Sequence, residues 1–71
     1  MIRHTPEGID SDKAVVIAKE FFQFNYSTFN IENIVLQNGT WLVKGNVTTF
    51  GKQSSRILAI DSKTGRIISC E

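Results

Sequence analysis

The densest gathering of reactive side chains is Asp61-Ser62-Lys63-Thr64-Gly65, which sets a carboxylate, two hydroxyls and an ammonium beside a glycine. Apolar alternation runs into it and out of it, from Ile57-Leu58-Ala59-Ile60 to Ile67-Ile68. In that setting the five residues read as a hairpin turn. Asp61 can accept backbone N–H bonds and Gly65 can take the left-handed conformation that realigns the strands. The other reactive types are scattered. His4 is the single histidine, and Cys70 the single cysteine, next to the end of the sequence. One cysteine excludes an internal disulfide, and Cys70 with His4 is too sparse a set for zinc. Asp10 and Asp12 read as helix-start residues, so no carboxylate pair is placed for acid–base work. Gly39, Gly51 and Gly65 each fall at a turn and form no phosphate loop. No catalytic residue, metal or cofactor is expected.

Asn25-Tyr26-Ser27, Asn38-Gly39-Thr40 and Asn46-Val47-Thr48 match the glycosylation pattern, which in a chain without a leader reads as chance. The chain is 71 residues long with a net charge of +1. That is one domain, near the lower limit for a core that folds unaided, so tight packing or self-association is expected to supply the remaining stability. The charge is too small to point to nucleic acid, a membrane or an acidic partner. It is uneven, however. Through Glu32 there are three basic and five acidic residues; from Asn33 onward there are five basic and two acidic. No apolar run reaches the length of a membrane span, and no charged-then-apolar leader is evident. A cytoplasmic location follows for the chain as given, or the cell envelope if it is an excised domain.

The elements come in a simple order. Residues 1–8 have no period and read as a flexible arm. Asp10 and Ser11 are good helix N-caps. From Asp12 to about Phe24, Ala14, Ile17, Ala18, Phe21 and Phe22 form one apolar stripe at helical spacing. Residues 25–30 are turn-prone, with Tyr26 and Phe29 expected to close the edge of the core. Four strands follow: Ile34–Gln37, Thr40–Phe50, Ser54–Ile60 and Arg66–Ser69. They are joined at Asn38-Gly39, a strong hairpin signal, at Gly51-Lys52 and at Asp61–Gly65. The fold class is therefore α+β, one helix packed on a four-stranded antiparallel meander, with residues 9–71 as a single domain.

Two-residue loops at Asn38-Gly39 and Gly51-Lys52, with the Asp61–Gly65 turn, fix a register. Leu36 should face Trp41, Ile34 should face Val43, Val43 should face Ile60, Gly45 should face Leu58 and Ile60 should face Ile67. Strand alternation then gathers Ile34, Leu36, Trp41, Val43, Val47, Leu58, Ile60 and Ile67 on one face. Gly45 leaves a gap there for a helix side chain such as Phe21. The opposite face carries Val35, Leu42, Ile57, Ala59 and Ile68 beside Lys44, Asn46, Thr48 and Arg66, with Val35 facing Leu42 and Ala59 facing Ile68. Two readings stand side by side: β-branched residues suit strands wherever they point, or these residues form a patch that pairs with another protein or a second copy. On the second reading the interaction face is Val35, Leu42, Lys44, Ile57, Ala59, Arg66 and Ile68. Nucleic acid is disfavoured, because Phe50 is the one candidate for base stacking near Lys44 and Arg66.

Ile9-x₄-Ala14-x₃-Ala18, Trp41-Leu42-Val43 after an Asn-Gly turn, and Ile60-Asp61-Ser62-Lys63-Thr64-Gly65-Arg66-Ile67 together resemble the PepSY domain, found in propeptides of thermolysin-type metallopeptidases. The likeness spans about Ile9 to Ser69; other helix-plus-meander domains, such as cystatin-like ones, share the order of elements. It implies a non-catalytic module that binds or restrains proteases or acts as an interaction unit near the cell envelope, with no catalytic residue to carry over. The expectation is a small protein-interaction domain, either a homodimer through the outer sheet face or a protease-restraining unit. The alternative is a nucleic-acid or small-ligand binder on the same face.

Overall fold

The computed structural model describes residues 8–71. It contains one helix, α1 (Ser11–Asn25), and four strands, β1 (Thr28–Gln37), β2 (Thr40–Thr49), β3 (Lys52–Asp61) and β4 (Ile67–Cys70). The strands form a single antiparallel sheet in the order β1-β2-β3-β4, and α1 packs across it. The α+β meander is as expected. The arm over residues 1–8, with His4, lies outside the described residues except for Gly8.

Asp10 caps α1: its carboxylate accepts from the Lys13 backbone N–H at 2.9 Å, satisfying one of the helix's orphan donors. The stripe then faces the sheet. Ala14, Ala18 and Phe22 are fully buried with Val43, Val47, Leu58 and Ile60. The two alanines let the helix lie close, and Phe22 fills the space this leaves further along. A Cβ on Gly45 would sit 3.0 Å from a Phe22 ring carbon and 3.2 Å from the Asn30 carbonyl oxygen. The gap at Gly45 thus receives Phe22, not Phe21. Phe21, Tyr26 and Phe29 ring Phe22 at centroid distances of 5.8–5.9 Å.

Register matches the expected pairs across the first turn: Leu36 faces Trp41, Val35 faces Leu42 and Ile34 faces Val43. The second turn differs. It is Phe50-Gly51 rather than Gly51-Lys52, so Val43 faces Leu58 and Trp41 faces Ile60. Moving the turn by one residue slides the pairing by two, and a two-residue slide leaves every side chain on its original face. The core face survives for that reason, although Leu36 and Ile67 lie at its margin and stay exposed.

Two bulges were not foreseen. Glu32 is an extra residue in β1 between Ile31 and Asn33. It switches the phase of the strand, so that Phe29 and Ile31 join Ile34 on the core side. Residues 28–30 are consequently strand, where a turn was expected. In β4, Ile68 is the extra residue: Ile60 faces Ile67 as expected, but Ala59 faces Ser69, not Ile68. Pairing continues to Glu71, which exchanges two backbone bonds of 2.9 Å with Ile57.

One pole of the molecule is knitted by backbone groups and the Trp41 indole. The Ile9 N–H donates to the Ser62 carbonyl (2.7 Å), the Ile9 carbonyl accepts from the Trp41 indole N–H (3.1 Å), and the Ser62 N–H donates to the Gly39 carbonyl (3.0 Å). Gly8 belongs to this knot, since a Cβ there would overlap the Ser62 carbonyl oxygen. The Asp61–Gly65 segment is the expected register turn. The Asp61 carboxylate accepts from the Lys63 N–H at 2.8 Å and Gly65 is left-handed at φ 78°.

Candidate functional site

Two surfaces stand out among the described residues. The first is the outer face of the sheet. Val35, Leu42 and Ala59 form one cross-strand row, and Asn33, Lys44 and Ile57 form the next towards the β2–β3 turn. Val35 and Ile57 are 44% and 43% exposed, and Lys44 is exposed. Five of the seven residues expected on this face are thereby brought together. The other two differ. Arg66 lies in the closing loop before β4, where its N–H meets the Thr64 hydroxyl and its carbonyl accepts from the Asp61 N–H. Ile68 is the bulge residue, 58% exposed, and is not opposite Ala59. Beyond the Lys44 row the face turns polar. Asn46 accepts from the Ser55 hydroxyl at 3.2 Å and its amide donates to the Glu32 carboxylate.

The second surface was not read from the sequence. A 15-residue helix is about 22 Å long, whereas the ten-residue strands β2 and β3 run about 33 Å. Ile9, just before α1, and Ile17 lie against Gly65, and Ser27, just after α1, donates its N–H to the Thr48 carbonyl, so the Phe50-Gly51 turn of the β2–β3 hairpin reaches past the helix. Along the helix side of β3, going towards that end, Ile60 and Leu58 give way to Arg56, Ser54 and Lys52. Here an open trough of about 560 Å³ is lined by Tyr26, Thr49, Phe50, Lys52, Ser54 and Arg56, and no lining residue is acidic.

Three features mark this trough. Phe50 occupies the first central position of a two-residue turn with φ 53°, followed by Gly51 at φ 79°. A bulky residue at positive φ is an outlier, and its ring is 96% exposed. The Arg56 Nε is buried and has no hydrogen-bond partner, which leaves a charged donor unsatisfied. Behind it, burial pushes the Tyr26 phenol above its ordinary pKa; the Cys70 thiol beside it, through charge and a hydrogen bond, pushes the same way, while Arg56 pulls it down. Cys70 is a free, half-buried thiol at the rim of the core.

Among the described residues, no group of three or more His, Cys, Asp or Glu side chains is placed to hold a metal ion, and no helix is long and apolar enough to cross a membrane. Compared with family models, curated proteins and solved structures, the chain gives no match.

Proposed function

We propose that this chain is a non-catalytic interaction domain of PepSY-like type that binds protein through the outer face of its sheet, in the simplest case a second copy of itself. The observation that carries the proposal is the solvent-facing row Val35–Leu42–Ala59 with Ile57 and Lys44 alongside. Apolar side chains contiguous across three strands gain by being covered. The same positions on β1, β2 and β3 include no aromatic side chain, so bases would find no ring to stack on, which favours a protein over a nucleic acid. An isologous pair places the same patch on both sides, as a two-fold dimer requires. The row is small against the roughly 800 Å² per partner of a standard interface, so the pairing is expected to be micromolar or weaker.

Sedimentation equilibrium of the wild type and Leu42→Asp tests it. The wild type should show a concentration-dependent rise in mass, and the variant should remain monomeric with an unchanged far-ultraviolet spectrum. A wild-type chain that is monomeric at several hundred micromolar would sink the self-pairing.

A further inference from the structure

The basic trough at the end of the β2–β3 hairpin lies on the opposite side of the sheet from the outer face and makes a separate prediction. We propose that it is a binding site for an acidic, extended peptide segment of a partner protein, one that carries an apolar side chain between carboxylates.

The charge argument comes first. Lys52 and Arg56 flank the trough without an acidic neighbour in its lining, and the buried Arg56 Nε has no acceptor. The half-exposed Arg56 and the exposed Lys52, with no carboxylate beside them, are matched by carboxylates of a partner, which meet them in charge-assisted pairs. Ser54, Thr49 and Tyr26 add hydroxyls that suit a peptide backbone. The apolar argument is independent. Phe50 adopts a backbone conformation that asparagine or glycine would take at less cost, yet holds its ring almost wholly in water. Strain retained at an exposed position points to a contact made in a complex. Phe50 beside the two cations therefore calls for an apolar side chain next to acids. The trough is open, which suits an extended chain passing along it better than a compact small molecule enclosed within it.

The test is a ¹⁵N-correlated NMR titration of the whole chain with the blocked peptide acetyl-Glu-Glu-Phe-Glu-Glu-Leu-amide, and with its counterpart carrying lysine for every glutamate. Saturable shifts at residues 49–56 and at Tyr26 are expected with the acidic peptide alone. Affinity should fall at least tenfold in Arg56→Gln and severalfold in Lys52→Gln, an exposed position where folding is not at stake. It should also weaken with added salt and be unchanged in Leu42→Asp, which separates this site from the outer face. No saturable shift up to millimolar peptide, equal binding of the lysine peptide, or shifts confined to Val35, Leu42 and Ala59 would each overturn the proposal. So would shifts at residues 49–56 that appear on concentrating the protein alone and block the peptide, since the occupant would then be a second copy.

Discussion

Replacing Phe50 by asparagine should make the protein more stable. The β1–β2 and β2–β3 turns have almost the same backbone: Asn38 and Gly39 at φ 52° and 75°, Phe50 and Gly51 at φ 53° and 79°. Asparagine at the first central position is a favoured choice for such a turn, and phenylalanine is not. An L-residue held in the left-handed region costs about 1–2 kcal/mol, a cost that asparagine partly escapes through local hydrogen bonding. The Phe50 ring is 96% exposed, so its loss forfeits almost no burial to set against that gain. Phe50→Asn is therefore expected to add about 1 kcal/mol, or a rise in Tm of about 4–8 °C for a domain of this size. Urea unfolding followed by the fluorescence of Trp41, which is half-buried and bonded to the Ile9 carbonyl, would read it as a higher midpoint at unchanged slope. Asn38→Phe, the reciprocal change, should cost a similar amount. A midpoint that stays or falls in Phe50→Asn would refute the reasoning, because it would mean the ring contributes to the free domain. If the trough binds as proposed, the stabilised variant should also bind the acidic peptide less well, a trade of function against stability.

Two further outcomes follow from the packing. Gly45→Ala pushes a methyl against the buried Phe22 ring and the Asn30 carbonyl, and should destabilise by about 1–3 kcal/mol as an overpacked core does, measured by the same urea titration. The raised phenol of Tyr26 means that the native state holds its proton more tightly than the unfolded chain does. That contribution is intact below the ordinary value of 10.0 and is lost as pH rises through the folded value. Stability measured from pH 9 to 11.5 should thus fall less steeply in Tyr26→Phe than in the wild type, and parallel curves would count against the assignment.

The core was legible because its signals are local and redundant. The helix stripe needs only the 3.6 period, and the faces of β2 and β3 need only alternation, which tolerates the misplaced turn. What alternation cannot register is a single extra residue. In strict alternation Phe29 and Ile31 fall on the face of Val35, and the bulge at Glu32 brings them round to the side of Ile34. Nothing in Ile31-Glu32-Asn33 marks that bulge, and the polar run before it reads as turn. Ile68 escaped for the same reason. On the outer face, Val35, Leu42, Lys44, Ile57 and Ala59 could be found from register alone. The trough could not: Lys52, Ser54 and Arg56 look like the polar end of a strand until Tyr26 and Phe50 are seen to lie around them. Phe50 looked like the last residue of a strand, and its left-handed backbone becomes visible only once the turn is located.

The backbone knot joining Ile9, Ser62, Gly39 and Trp41 gives the molecule a handle. It sits at the start of β2, whereas Phe50 sits past its end, ten residues away, or about 33 Å, and the trough runs from there back to Arg56 beside Gly45. A dye or a resin attached at this knot is held to the sheet at the pole opposite Phe50. Immobilised by that end, the domain presents its basic hairpin tip outward, so surface-based binding measurements can be oriented without masking the site they are meant to probe.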